Sequence, residues 1–321
     1  MSAPADLAFR FDSRLDPLVF EAFLPGGTLR PLVEYAFSDY PVDLHFRRDW
    51  VSGSQHATLH VGLNRLLDLE FRQGVVRLHP LRALRREFGF DEAWLGWRPV
   101  GEVWDEALEL FLDQAVPWAA ESRGAMGAMA PSRFHPGTRT RWCIAQDFAP
   151  QFRDDALRKR VFAGLKADIE EAFDPSPIEA FPHPMKVEAV VLYVDEAGDL
   201  LIGDVHPRRA SEVPWSTGIA LVNARMLRLW LEHDPDAVAA LAATVRTRVA
   251  LGLLPPETPL PGASPTVVPI VQVQSGMSAR LRANAVAVAE RLAERGVDDV
   301  HEVRVIEWSL SGRETVRSPL G

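Results

Sequence analysis

The chain has 321 residues, and its 47% hydrophobic content is enough to fill one large or two medium-sized cores. Its formal net charge of −9 disfavours nucleic acid as a partner, because releasing counterions from phosphates requires a basic surface, so only a local arginine patch is expected to bind one. Cys143 is the single cysteine, which excludes an intrachain disulfide and any multi-cysteine zinc or iron–sulfur site.

The start of the chain and its basic residues indicate the compartment. Residues 1–12 lack a basic stretch followed by an apolar run, and no segment approaches the length that crosses a bilayer. We therefore expect a cytoplasmic protein with no membrane partner. Lysine occurs only at Lys159, Lys166 and Lys186, so arginine carries almost all of the basic charge, a bias typical of a GC-rich bacterial genome.

Proline- and glycine-rich stretches interrupt the hydrophobic pattern and indicate two lobes. Residues 119–140 support neither a helical nor a strand period and predict an exposed loop. Residues 174–184 contain four prolines, which remove backbone donors, and we expect the domain boundary there. The chain should then consist of an N-terminal lobe over residues 1–174 and a C-terminal lobe over residues 185–321.

The N-terminal lobe should contain a strand hairpin followed by two helices. Residues 57–80 alternate apolar and polar side chains on both sides of a turn at Gln73 and Gly74, as expected of half-buried strands. Residues 102–116 place apolar side chains on one helical face and acidic ones on the other. Residues 154–173 repeat an apolar residue at every fourth position behind an acidic cap, which predicts the second helix.

The C-terminal lobe should open with a second hairpin, formed by residues 187–194 and 200–205. Helices are expected over residues 223–233 and, behind a fresh cap at Asp234, up to Gly252. The last pattern is a strand, a helix and a strand over residues 266–274, 278–295 and 301–310. Because a connection of this length suits a parallel crossover, the sequence predicts an α+β fold of two lobes, each a mixed or antiparallel sheet packed with helices, the second ending in a β-α-β unit.

Missing motifs exclude several enzyme classes. The chain has no G-x-x-x-x-G-K-[ST] sequence and no lysine in a glycine-rich loop, so it lacks the phosphate cradle of P-loop nucleotidases. The nearest approach to a G-x-S-x-G nucleophile elbow runs from Gly276 to Arg280 and lacks the second glycine that the tight turn needs. There is also no H-E-x-x-H, and no G-x-G-x-x-G between a strand and a helix.

A first candidate metal site lies at the end of the apolar strand over residues 200–206. Asp204 and His206 share one face of this strand, where such a pair can bind a divalent metal. The string resembles the first motif of calcineurin-like metallophosphoesterases, which implies that both residues are ligands of a dinuclear centre that activates water. The second Gly-Asp-x-x-Asp and the Gly-Asn-His of that family are missing. Asp195 and Asp199 in the preceding turn can add carboxylates; the alternative is a solvated hairpin turn.

A second candidate is the pair Asp68 and Glu70 on the polar face of the first hairpin. The Asp-x-Glu spacing resembles the opening carboxylate pair of RNase-H-like 3′–5′ exonucleases, which implies two metals for phosphodiester attack. Those enzymes need further acidic residues on later helices. The alternative is a cross-strand ladder in which the two acids face His60, Arg77 and His79. Either metal site implies Mg²⁺ or Mn²⁺ as the cofactor.

Tryptophan and arginine clusters are candidates for partner binding. Trp94, Trp97 and Trp118 flank the expected loop, and tryptophan anchors many protein interfaces, although it also fills cores. The arginines of the segment over residues 82–86 make a local basic patch that can meet an acidic partner, with a solvated helix face as the alternative. These arginines are Arg82, Arg85 and Arg86.

No complete catalytic set is evident in the sequence. We therefore expect a cytosolic bacterial accessory or regulatory protein that binds a macromolecular partner or a small ligand, with a protein as the preferred partner and no cofactor. The alternative is a metal-dependent phosphoesterase or nuclease that uses the carboxylate and histidine ligands named above. A homo-oligomer formed through the tryptophan-rich region is a third reading.

Overall fold

A computed structural model describes residues 9–49, 52–88, 92–122, 141–174, 190–309 and 314–320. The chain divides into two compact units, each discontinuous in sequence. One consists of residues 11–134 and 239–260, and we call it the five-stranded unit after its sheet. The other consists of residues 1–10, 135–238 and 261–321 and is called the six-stranded unit.

Strands and helices together make the α+β fold that the sequence predicts. The strands are β1 (Phe9–Arg10), β2 (Val42–Arg48), β3 (Gln55–Val61), β4 (Asn64–Arg72), β5 (Val75–Pro80), β6 (Arg98–Pro99), β7 (Arg141–Phe148), β8 (Gln151–Phe152), β9 (Val190–Asp195), β10 (Leu200–His206), β11 (Val267–Gln274), β12 (Arg304–Trp308) and β13 (Glu314–Arg317). The helices are α1 (Pro17–Phe23), α2 (Arg30–Tyr35), α3 (Arg82–Glu87), α4 (Glu106–Ser122), α5 (Asp155–Ala172), α6 (Ser216–His233), α7 (Ala237–Ala250) and α8 (Ala279–Glu294). Among these described helices, none combines the length and the apolar character that spanning a membrane requires.

The five-stranded unit contains an antiparallel sheet in the order β2-β3-β4-β5-β6. Residues 57–80, expected to form a hairpin, contribute to three antiparallel strands, of which β4 and β5 form the hairpin around Gln73 and Gly74. Both turn residues have positive φ, as a two-residue hairpin turn requires. Because side chains alternate between the faces of a strand, one face of this sheet is apolar and joins the buried core with residues of α1, α2 and α4. The other face carries the charged residues.

The six-stranded unit contains a mixed sheet in the order β13-β12-β11-β10-β9-β7. Strands β9 and β10 form the expected antiparallel hairpin, whereas β10, β11 and β12 are parallel neighbours. Helix α8 connects β11 to β12, so the predicted parallel crossover is confirmed. The sheet packs with α6 and α8 around a core that includes Trp215, Val271 and Leu292. The carboxyl ends of β10 and β11 consequently meet at one edge.

The division into units differs from the boundary expected at residues 174–184. Strand β7 pairs with β9, so this strand belongs with the six-stranded sheet although it precedes the expected boundary. Residues 239–260 belong to the five-stranded unit although they follow it. The physical reason is that strand pairing and helix packing join segments that are distant in sequence, which a count of prolines does not detect. Of the expected boundary segment, residues 175–184 lie outside the described part of the chain.

Aspartate side chains set where helices α4 and α5 begin. Helix α5 with its Asp154 cap is confirmed, since the Asp154 carboxylate accepts the Leu157 N–H at 2.6 Å. The helix expected over residues 102–116 begins at Glu106 instead, because Asp105 accepts the Leu108 N–H at 2.8 Å and fixes the first turn. It also continues to Ser122, into the expected loop, of which residues 123–140 lie outside the described residues.

Candidate functional site

A surface cavity of about 520 Å³ opens at the edge of the six-stranded sheet where β10 and β11 end. It is lined by Arg208, Arg209, Gly276, Ser278, Arg280, Leu281 and Asn284. Two of the arginines follow β10, the glycine and serine connect β11 to α8, and the rest lie in the first turns of α8. Ligands of parallel sheets bind in a crevice outside the carboxyl ends of the strands, which is the position of this cavity.

Local hydrogen bonds shape the cavity. The Ser278 hydroxyl caps α8 by accepting the Leu281 N–H at 3.2 Å, and the other amides of the first turn remain directed out of the helix. The buried Gln274 side chain accepts the backbone N–H of Arg208 at 3.4 Å, which ties the segment after β10 to the end of β11. Gly276 adopts a φ of +84°, a conformation that favours glycine, and lies against the Arg208 side chain.

The three arginines of the cavity have no ion-pair partner in the described part of the chain. Within the described residues, no carboxylate lies within 4.0 Å of Arg208, Arg209 or Arg280, and all three are exposed. By contrast, Arg282 on the same helix binds Glu307 at 2.9 Å. The N-terminus of α8 adds the positive end of a helix dipole. Three uncompensated guanidinium groups and free helix amides form an arrangement that binds an anion.

Asp204 and His206 of the first candidate metal site lie on one face of β10, next to Val271 and Val273 of β11. In the described part of the chain, His206 Nε2 is buried without a hydrogen-bond partner. Burial lowers the pKa of His206 to about 4, against the opposing charge of Glu212, so the ring is neutral at pH 7. A neutral imidazole with an open nitrogen is the form that binds a metal.

The other two residues of this candidate site lie elsewhere. Asp195 accepts the N–H groups of Ala197 and Asp199 inside the β9–β10 turn, and Asp199 accepts the N–H of Thr266. Asp204 lies five positions after Asp199, or about 17 Å away at the rise of a strand. The structure therefore brings Asp204 and His206 together but not the full set of four.

Asp68 and Glu70, the second candidate pair, are saturated by cationic side chains. Asp68 contacts Arg65 at 3.1 Å, Arg47 at 3.4 Å and His56 at 3.1 Å. Burial alone would raise the pKa of Asp68, but hydrogen bonding from His56 and the arginine charges outweigh it and lower the pKa to about 2. Asp68 thus lies in a ladder of acids against basic groups, but its partners differ from the His60, Arg77 and His79 that the sequence suggested.

Glu70 has the same kind of environment one step along β4. It contacts Arg72 at 2.6 Å, Arg77 at 2.7 Å and His79 at 3.1 Å. Desolvation acts to raise its pKa, but the hydrogen bonds from Arg77 and His79 lower the pKa to about 2. A metal at Asp68 and Glu70 would have to displace the arginines from both carboxylates.

A buried ionic cluster on the polar face of β2 and β3 was not detected in the sequence. Arg248 donates to Asp43 at 2.8 Å, to His45 Nδ1 at 2.8 Å and to the Leu44 carbonyl at 2.5 Å. Although burial acts to raise the pKa of Asp43, the charges of Arg248 and His45 hold it far below its usual range. Burial lowers the pKa of the neighbouring His60 to about 3.

The tryptophans expected to bind a partner divide into two groups. Trp94 is only 3% exposed and its ring packs against Phe111, while Trp118 packs on the core beside Phe88. Packing accounts for both. Trp97 is 39% exposed and lies under two guanidinium groups of the charged sheet face.

Arg82 and Arg86 are exposed on the short helix α3, as on a solvated helix face. The side chain of Arg85 lies outside the described part of the structure. Of the three arginines expected to form a basic patch, the side chains of Arg82 and Arg86 are therefore described, and both are exposed.

No protein-family model, curated protein or solved structure matches the chain. Its function is therefore inferred from the chemistry of the sites described above. Among these sites, the cavity at the carboxyl edge is the one in which three arginines converge without a carboxylate partner in the described part of the chain, whereas each arginine around Asp68 and Glu70 contacts a carboxylate.

The residues of this cavity were visible in the sequence only in fragments. Gly276, Ser278 and Arg280 appeared as an incomplete nucleophile elbow, and Arg208 was not singled out. Part of this site could have been recognised in the sequence, since a serine cap and an arginine that follow a buried strand are typical of an anion site at a helix N-terminus. The sequence did not show that Arg208 and Arg209 reach the same place, because this depends on parallel pairing of β10 with β11.

Proposed function

We propose that the protein acts by binding, with no catalytic site of its own, and that its ligand is a small molecule bearing a phosphate group. The observation that carries this proposal is the convergence of Arg208, Arg209 and Arg280 on one cavity without a carboxylate partner among the described residues. In a chain with a net charge of −9, such a local excess of positive charge selects for anions.

Phosphate fits this site better than a single carboxylate. A phosphate group presents several acceptor oxygens in three dimensions, which matches guanidinium groups from two chain segments and the amides of the first turn of α8. Arginine also binds phosphate through paired N–H groups rather than as a point charge. A volume of about 520 Å³ lies within the range of small-molecule pockets, so the ligand has an organic part besides its phosphate.

The wider role that we propose is that of an accessory or regulatory protein in the bacterial cytoplasm. The single cysteine supports a reducing compartment, and the preference for arginine over lysine supports a bacterial source. Binding of the phosphorylated ligand would then be coupled to a macromolecular partner, with protein as the preferred class.

Calorimetric titration with inorganic phosphate and pyrophosphate tests the binding proposal. Each anion should bind with one-to-one stoichiometry, and pyrophosphate should bind more tightly because it reaches more of the arginines. Arg208→Gln and Arg280→Gln should each weaken binding about tenfold or more, as expected for the loss of one charge-assisted contact. Arg158→Gln is the matched control, since Arg158 is an exposed arginine in the first turn of another helix that is paired with Asp155. Equal binding by all variants, or none by the wild type, contradicts the proposal.

A metal-dependent phosphoesterase is the second candidate, and one observation favours it. His206 offers a neutral, buried nitrogen beside Asp204, on the strand that leads to Arg208. Mg²⁺ or Mn²⁺ held there would lie at the same sheet edge as the phosphate cavity. Titration with Mn²⁺, followed by electron paramagnetic resonance, should show one bound ion that His206→Ala and Asp204→Ala abolish. Unchanged Mn²⁺ binding in both variants would eliminate this candidate.

A further inference from the structure

A second basic surface, independent of the phosphate cavity, lies on the charged face of the five-stranded sheet. We call it the arginine face, and it consists of Arg47, Arg65, Arg72, Arg77, His79 and Trp97. We propose that the arginine face docks a short acidic segment of a partner protein.

The arginines of this face are oriented in advance by buried carboxylates. Asp68 and Glu70 are 2% and 5% exposed, and each holds its arginines mainly through a single terminal nitrogen. A guanidinium group has five N–H donors, so contacts through one nitrogen to Asp68 or Glu70 leave other donors of each arginine available. The arginine side chains are accordingly 34% to 49% exposed. Such a surface loses little side-chain freedom when it binds.

The face has a net positive charge in an acidic protein. Four guanidinium groups surround two carboxylates, and both carboxylates stay ionised at neutral pH because their pKa values are lowered to about 2. The four arginines and two carboxylates together therefore carry a net charge of about +2. Charge complementarity favours a partner segment that brings carboxylates to the outer N–H groups, where carboxylate and guanidinium pair in bidentate fashion.

Trp97 extends the face with an aromatic surface. Its ring centre lies 4.9 Å from the guanidinium carbon of Arg77 and 5.3 Å from that of Arg72, within the range of a cation–π contact. The ring is 39% exposed. It therefore supports two of the arginines and offers apolar area to a side chain of the partner, a combination typical of interface anchors.

An acidic peptide fits the face better than a nucleic acid. Single-stranded nucleic acids bind along basic grooves with successive aromatic platforms, whereas Trp97 is the single exposed ring among the described residues of this face. The net charge of −9 also repels a long polyanion beyond the patch. From Arg65 to Arg72, strand β4 rises about 23 Å, so a partner segment of roughly seven extended residues would span the arginine face.

Fluorescence anisotropy with a labelled octaglutamate peptide tests this proposal, with a Gly-Ser peptide of equal length as the reference. The octaglutamate should bind more tightly than the reference, and its affinity should fall as salt is raised. The double variant Arg65→Gln/Arg72→Gln should weaken binding at least tenfold. Asp68 keeps Arg47 and His56 in this variant, and Glu70 keeps Arg77 and His79, so the fold should be retained.

Arg14→Gln/Arg158→Gln is the matched control, since it removes two exposed arginines paired with aspartates outside the face, and its affinity should stay within twofold of the wild type. If the double variant unfolds, Arg72→Gln alone should still weaken binding severalfold. Equal affinity of the two peptides, or equal loss in the control, overturns the proposal. Tighter binding of an eight-nucleotide thymidine strand, lost in the face variant, would assign the face to nucleic acid and overturn it as well.

Discussion

Arg248 and Asp43 form a fully buried ion pair, with Nη2 2.8 Å from Oδ1, that joins helix α7 to strand β2. The two residues are 205 positions apart in sequence. Arg248 also donates to the Leu44 carbonyl, so one side chain satisfies both a charge and a backbone acceptor of β2. This pair fixes residues 239–260 to the sheet of the five-stranded unit.

Removing one member of the pair should be strongly destabilising. Arg248→Met leaves the Asp43 charge buried beside His45 and should lower the free energy of unfolding by about 3–5 kcal/mol, the usual cost of an uncompensated buried charge. Urea denaturation followed by tryptophan fluorescence measures this change. Arg246→Met is the control, because Arg246 is exposed on the same helix, and it should change stability by less than about 0.5 kcal/mol. Equal stability of the two variants would contradict the assigned role of the pair.

The ladder around Asp68 predicts a loss of stability in acid. The pKa of Asp68 is lowered in the folded protein from 3.8 to about 2, so the unfolded chain binds its proton first as pH falls. The stabilisation is fully present above pH 4 and should be lost between about pH 4 and pH 2. Urea titrations across this range should show that the unfolding free energy of Asp68→Asn depends less steeply on pH than that of the wild type. The variant should also be less stable than the wild type at pH 7. A slope identical to that of the wild type would show that Asp68 does not contribute.

Two histidines with buried ring nitrogens predict a separate pH dependence of stability at milder acidity. Burial lowers the pKa of His60 to about 3 and that of His206 to about 4, from an ordinary value of 6.5. Since the unfolded state takes up these protons first, stability should decrease as pH falls from 6.5 toward 4. His206→Gln and His60→Gln should each reduce the slope of unfolding free energy against pH, as measured by urea denaturation at several pH values. His301→Gln, on the exposed residue His301, is the control and should leave the slope unchanged.

The contacts of Glu70 with Arg77 and His79 could be predicted because their determinants are local, whereas the partners of Asp68 were not foreseen. Asp68 and Glu70 alternate with leucines on β4, and the two-residue turn at Gln73 and Gly74 places the next strand in register with them. The α5 cap was likewise visible in the sequence, because an N-cap residue acts within three positions.

The cavity and the buried ion pair could not be predicted in this way. The cavity forms only once β10 pairs with β11, since Arg208 and Gln274 are 66 positions apart. Arg248 lies in an otherwise apolar helix, and its partners are on a strand about two hundred residues earlier. Helix α6 begins at Ser216 rather than at the expected residue 223. The start was missed because Ser216, Thr217 and Gly218 are buried, and small or polar buried residues do not contribute to a recognisable hydrophobic period.

The parallel pairing that forms the cavity depends on Gly203. A Cβ atom at this position would lie 1.7 Å from the Ile270 carbonyl oxygen, so β11 approaches β10 more closely than any side chain permits. Gly203→Ala should therefore force the strands apart and cost about 3 kcal/mol or more of unfolding free energy. It should also weaken phosphate binding, because Arg208 and Gly276 would no longer be held at a common edge. Gly101→Ala is the matched control, since a Cβ there meets no atom within 4 Å. Thermal denaturation and phosphate titration of both variants measure the two effects, and a Gly203→Ala protein as stable as the Gly101→Ala protein would contradict the close approach of β10 and β11.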